Sequence, residues 1–348
     1  MSSTFYLNRN TDEVDVLPVC QGTSVLWSRR CPTKDTPNED AAVVIVVDQR
    51  TAVLAIADGV GGFRSGDVAA KIAVESLGEA FEDGASGEHS VRSGILNGIE
   101  RANQRILDLG IGAATTMAVL EISQGEVRPY HVGDSVILVF GARGKIKWQT
   151  IMHSPVGFAF EAGMLDEREA LRHEDRHLVS NVVGAGDMRI EIGPSIPLAA
   201  RDTVLLASDG LIDNLTVDEI VGLLRKGTLE KSIAELSRAA RQRMLAPDEG
   251  HPSKPDDATI LAFRPRPPRR KKRAARTDDS AVADASSASP VDVRSRAPEP
   301  MVATGDDGDD GHAATPGEPP SPPIDVEDPP DLPGAARIHG VGDGTDRA

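Results

Sequence analysis

The sequence predicts an α+β protein with a sheet-on-sheet core, mainly antiparallel, and helices outside it. Three observations lead there. Short β-branched runs recur from Thr23 onward at meander spacing, punctuated by Gly, Asp and Arg-Gly turns. Two amphipathic helical stretches interrupt these runs, and two more precede a closing strand. Aromatic residues are only 3% of the chain, so the layers must be filled by Val, Ile, Leu and Ala.

The elements follow in order. A strand-like segment at 23–27 opens the predicted domain, 23–265, and residues 1–22 read as an N-terminal extension. Two apolar runs, 42–47 and 52–57, flank Asp48-Gln49-Arg50-Thr51 and form a hairpin pattern. A helix at 67–81 places Val68, Ile72, Leu77 and Phe81 roughly on one face and stops by Gly84. A second at 90–109 aligns Val91, Ile95, Ile99, Ile106 and Leu107 and stops at Gly110. Strands follow at 115–122, 127–132, 136–140 and 145–149. The stretch 153–186 is less regular, with a short helix near 166–173. Strands at 188–192 and 203–207, helices at 217–224 and 229–245, and a strand at 259–263 complete the domain.

Composition breaks near Pro265. Residues 264–276 carry eight basic side chains and no acidic one, and residues 277–348 carry 16 acidic and 4 basic ones. The segment 266–348 is Pro-rich and poor in large apolar side chains, and is expected to be disordered. Residues 1–263 still hold 26 basic and 38 acidic groups, so the folded part is itself acidic. A net charge of −16 argues against nucleic-acid binding. Two cysteines, Cys20 and Cys31, make no disulfide framework and suit a reduced cytoplasmic protein. The first residues show no signal-peptide pattern, and no apolar run is long enough to span a bilayer.

Five strand ends or starts carry carboxylates: NEDAA (38–42), LAIADGVGG (54–62), YHVGD (130–134), VLLASD (204–209) and PDDAT (255–259). One Asp-Gly after a strand is an ordinary turn, but five carboxylate-bearing strand ends or starts are a pattern. None pairs with Cys or a clustered His. An all-oxygen set suits a hard cation, Mg²⁺ or Mn²⁺, and not zinc.

In this order, NEDA, ADGVGG, TT (115–116), HVGDS (131–135), SDGL (208–211) and DDAT (256–259) resemble the metal-dependent protein serine/threonine phosphatases of type 2C (PPM). The resemblance covers about 23–264. It implies a four-layer α-β-β-α sandwich with a two-metal centre at one edge of the paired sheets. It also implies hydrolysis of phosphoserine and phosphothreonine by a metal-bridged hydroxide from two Mn²⁺ or Mg²⁺ ions. By position, Asp58 would bridge both metals and Gly59 would offer its carbonyl. Asp209 and Asp256 would complete one metal's shell, and Glu39 and Asp40 would bind the other directly or through water. Asp134 matches the residue that, in some members, holds a labile third ion with the SDG aspartate. Asp257 stands where Asn is usual and is expected to act from behind the ligands.

Departures are also legible. Asp35 stands where many members place a phosphate-gripping Arg. Lys34 is therefore the candidate clamp, with Arg30 and Arg64 behind it. Val60 replaces a His that some members use as an acid, leaving water for that role, and Val136 replaces the Arg of GDSR. His173 and His177 are expected to be a solvated surface pair, His131 a satisfied core histidine, and Thr115 and Thr116 strand packing. A silent relative that binds phosphoproteins is the alternative, but it would usually have lost one of Asp58, Asp209 and Asp256. Phosphoproteins are the expected substrates, with a partner kinase and a tail-bound partner as further candidates.

Overall fold

Two sheets stack face to face, and helices cover both outer faces. The computed structural model describes residues 1–60, 65–84, 90–246 and 251–267. Arg64 and the segment from 268 onward lie outside the described residues.

In chain order the strands begin with β1 (Ser2–Leu7), β2 (Asp15–Val19), β3 (Gly22–Arg29), β4 (Asp40–Val46) and β5 (Thr51–Asp58). Helices α1 (Gly66–Gly84) and α2 (Val91–Asp108) follow. Next come β6 (Met117–Ser123), β7 (Glu126–Val132), β8 (Val136–Phe140) and β9 (Ile146–Gln149). Short helices α3 (Pro155–Glu161) and α4 (Glu167–Ala170) lead to a 3₁₀ turn at Glu174–His177. Two-residue strands β10 (Glu191–Ile192) and β11 (Ile196–Pro197) precede β12 (Thr203–Ala207). Helices α5 (Asp209–Ile212), α6 (Val217–Leu224) and α7 (Leu229–Leu245) run into β13 (Ala258–Pro265).

One sheet has the order β1-β4-β5-β6-β7-β10, with β11 also beside β7; the other is β2-β3-β13-β12-β8-β9. Every strand pair is antiparallel. The central strands β4, β5, β8 and β12 read as nearly unbroken apolar runs because both of their faces are covered. In β5, Val53, Ala55 and Ala57 pack under α1 and α2, while Ala52, Leu54 and Ile56 face the other sheet. A third layer, from Val25 and Leu138 to Leu236, lies under the C-terminal helices. Local caps fix the helix starts: Ser90 accepts from Ser93 N at 3.2 Å, and Thr216 with Glu219 forms a capping box.

Four expectations need correction. Residues 1–22 add an edge strand to each sheet, β1 on β4 and β2 on β3. These edges are largely exposed or half-buried, and Pro18 interrupts β2, so no apolar run announced them. The strand expected at 188–192 shrinks to Glu191–Ile192 against β7. The irregular stretch holds an additional helix, α3, capped by Ser154 with Pro155 in its first turn. The 136–149 hairpin also leaves its preceding neighbours and joins the second sheet. Among the described residues, no helix is long and apolar enough to cross a membrane.

Candidate active site

The carboxylates meet at one edge of the sandwich. Asp40 opens β4, Asp58 closes β5, and the register sets them directly opposite each other. Like charges so placed repel. Asp58 is fixed through its backbone. Thr115 Oγ1 and Thr116 N donate to its carbonyl at 2.7 and 2.8 Å, and its N–H donates to Thr116 Oγ1 at 3.2 Å. The two threonines expected to be packing thus hold the central carboxylate's backbone.

Gly59 is required by sterics. A Cβ there would stand 2.4 Å from the backbone of Gly66, where α1 begins. Gly133 has φ +106°, and a Cβ would meet Thr116 at 2.6 Å. That turn carries Asp134, which is 7% exposed. Gly210 lets Asp209 pass the Asp257 carbonyl, which a Cβ would approach to 1.9 Å.

Around these lie the supports. Ser208 caps α5 without using its side chain there; its hydroxyl donates to Asp40 Oδ2 at 2.9 Å and accepts from Thr259 N at 2.9 Å. Asp257 accepts from Cys31 N at 2.6 Å and Glu39 N at 2.7 Å, so it ties the β3–β4 loop behind Glu39. Asn38 accepts from Asp40 N at 3.0 Å.

Carboxylates dominate the electrostatics of this edge. Burial and then Asp257 raise the Asp40 pKa well above the usual carboxylate range. Burial, Asp40 and Asp209 do the same to Asp58. Asp134 is pushed up to about 7 by burial and by Asp209 and Asp213. Burial and Asp209 raise Asp256, and burial and Asp257 raise Glu39. Asp40 is 2% exposed, yet its Oδ1 has no hydrogen-bond partner. A buried, orphaned carboxylate oxygen among further carboxylates is a poor arrangement for a bare protein and a good one for a hard cation. The residues present therefore fit divalent cations.

A family model of protein phosphatase 2C matches residues 29–247. The chain belongs to that family. It is a protein phosphatase, and its two antiparallel sheets flanked by helices are the family's fold. Protein phosphatase PhpP of Streptococcus pneumoniae is 34% identical over 197 residues, 54% of this chain and 78% of that one. The solved serine/threonine phosphatase Stp1 of Staphylococcus aureus is 26% identical, with TM-score 0.60, covering 69% of this chain and 94% of its own. The PstP catalytic domain, solved in complex with two manganese ions, is 21% identical with TM-score 0.55, covering 69% and 96%.

Other candidates in this phosphatase sort by geometry. Lys34 Nζ is 3.8 Å from Asp256 Oδ1, with its side chain 53% exposed. Arg30 turns to Asp35 at 3.2 Å. Val60 donates its N–H to Ala114 O at 3.1 Å, and Val136 is buried in the core. His173 and His177 are exposed and bond the backbone of Asp175 and Glu174. His131 is only half satisfied: Nε2 meets Ile151 O at 3.0 Å, and buried Nδ1 has no partner.

Sequence reasoning missed several residues. His153 stacks on His131 with centroids 4.4 Å apart, accepts from Gly133 N at 3.1 Å and meets Glu191 at 3.1 Å. It thus supports the Asp134 turn. Lys254 Nζ lies 2.5 Å from Asp209 Oδ2 and 3.2 Å from Asp256 Oδ2. It also lies 2.9 Å from Asp213 Oδ2, without hydrogen-bond alignment. Burial lowers its pKa, but Asp209, Asp213 and Asp256 together raise it above the usual lysine value. A histidine before Ser154 and a lysine two residues before Asp256 follow no general pattern, so nothing local flagged them.

Proposed function

We propose that this phosphatase hydrolyses phosphoserine and phosphothreonine in proteins with two divalent cations, Mn²⁺ or Mg²⁺, held at the carboxylate edge. The observation that carries the reading is the unpartnered Asp40 Oδ1 within that cluster. Bound there, such cations lower the pKa of water to near neutrality and neutralise charge developing on the phosphoryl oxygens.

The chain's own residues have distinct tasks. Asp58, opposite Asp40 in the register and under the charge of Asp209 as well, would contact both cations, and the Gly59 carbonyl one of them. Asp209 and Asp256 would complete one shell, and Glu39 and Asp40 the other. Asp134 would serve a third, labile ion. Thr115, Thr116, Ser208 and Asp257 keep these groups in register, which matters because misplacement of a ligand by about 1 Å is costly in rate. Lys34, exposed at the rim, gathers the substrate phosphate as a point charge. Cys20 and Cys31 stand as free thiols, which suits the reducing cytoplasm. The substrates imply a protein kinase that installs the phosphate.

The test is phosphate release from a phosphothreonine peptide. Activity should require Mn²⁺ or Mg²⁺ and vanish with EDTA. Turnover indifferent to chelation would rule out the cation reading.

A further inference from the structure

Lys254 sits where a divalent cation's ligands converge. Its ammonium contacts Asp209, Asp213 and Asp256 at 2.5, 2.9 and 3.2 Å, and its side chain is only 22% exposed. The placement is enforced from behind. Fully buried Asn214 accepts from Lys254 N at 2.9 Å and donates to Lys254 O at 2.8 Å and to Gly210 O at 2.9 Å. One side chain thus clamps the lysine backbone to the turn after Asp209, and Pro255 stiffens the next step. Lys34 has no such mounting: it is half exposed and reaches one oxygen at 3.8 Å.

An ammonium and a hard divalent cation ask for the same partner, anionic oxygen at close range. The two compete for the same carboxylates of Asp209 and Asp256, and a dication drawn to them repels the ammonium at close range. We infer that Lys254 is a built-in counter-cation: its ammonium neutralises Asp209, Asp213 and Asp256 in the metal-free protein and is displaced when a divalent cation takes Asp209 and Asp256. The inference rests on the cation reading of the site. Lys254 then has two effects of opposite sign. It holds the carboxylate edge together without metal, and it weakens metal binding at that position, because the cation must first expel it.

The full-length metal-free chain is titrated with Mn²⁺ by calorimetry as wild type, Lys254→Met, Lys254→Gln and, as control, Lys231→Met on the exposed face of α7. Both Lys254 variants should bind at least one Mn²⁺ about tenfold more tightly, equivalent to about 1.4 kcal/mol, and Lys231→Met should not. In EDTA the Lys254 variants should melt below wild type, and in saturating Mn²⁺ that gap should close. A second measurement needs no variant. Reductive methylation of wild type, mapped by mass spectrometry, should modify Lys254 slowly in EDTA and faster with Mn²⁺. Should the variants fail to fold without metal, this labelling decides, and Lys254 reactivity unchanged by Mn²⁺ overturns the inference. Equal or weaker Mn²⁺ affinity in folded Lys254 variants overturns it too, while the cation reading stands. Absence of Mn²⁺ binding to every form, wild type included, sinks both.

Discussion

Removing metal should make this phosphatase less stable as pH rises, the reverse of ordinary acid denaturation. Asp134 shows the sign. Its folded pKa is pushed up to about 7, from the ordinary value of 3.8, first by burial and then by Asp209 and Asp213. The folded state therefore holds this proton more tightly than the unfolded chain does. Between pH 4 and 7 the folded state binds more protons, so stability falls as pH rises through that window. A folded pKa of about 7 in place of 3.8 corresponds to about 4 kcal/mol at most. That is a large part of a typical total of about 5–15 kcal/mol. Asp40 and Asp58 are raised too, first by burial and then by Asp257 and Asp40 respectively, and add to the slope. The assay is urea denaturation in EDTA at pH 5, 6, 7 and 8, for wild type and Asp134→Asn. Wild type should lose stability across the series. Asp134→Asn, which cannot ionise, should have a shallower slope and exceed wild type at pH 8. Saturating Mn²⁺ should flatten the wild-type slope. Metal-free stability that is constant or rises from pH 5 to 8 would refute the reasoning, as would Asp134→Asn no more stable than wild type at pH 8.

Three further outcomes are expected. Asp58→Asn, Asp209→Asn and Asp256→Asn should each lower kcat/KM by orders of magnitude, Asp58→Asn most; near-normal turnover of Asp209→Asn or Asp256→Asn at saturating Mn²⁺ would show a misassigned ligand. Lys34→Ala should raise KM several-fold, about 1 kcal/mol of lost charge-assisted contact, with the effect shrinking as salt is added. Equal KM and kcat at low salt would place the clamp elsewhere, with Arg30 and Arg64 next to test. Ser208→Ala removes the donor to Asp40 and the acceptor for Thr259 N, both buried. It should cost about 2–4 kcal/mol in chemical denaturation, and a loss under about 0.5 kcal/mol, the range of a neutral surface change, would deny Ser208 its supporting role.

Much of the fold was legible because its signals are local. The 203–207, 217–224 and 229–245 elements were bounded by their own apolar periods and flanking breakers, and they recur as β12, α6 and α7. The carboxylates were legible because each ends or begins an apolar strand, so sequence alone placed them at a sheet rim. Sequence could not show which rim groups meet. Asp40 and Ser208 are 168 residues apart, and Lys254 and Asp209 are 45 apart, so only the folded sheets bring them into contact. The edge strands β1 and β2 escaped notice because a half-exposed strand carries little apolar signal of its own and takes its order from the neighbour it pairs with. Gly59 makes the same distinction at one residue. Sequence marked a glycine after an aspartate, but the close pass of the Gly66 backbone, a matter of packing alone, is what forbids a side chain there.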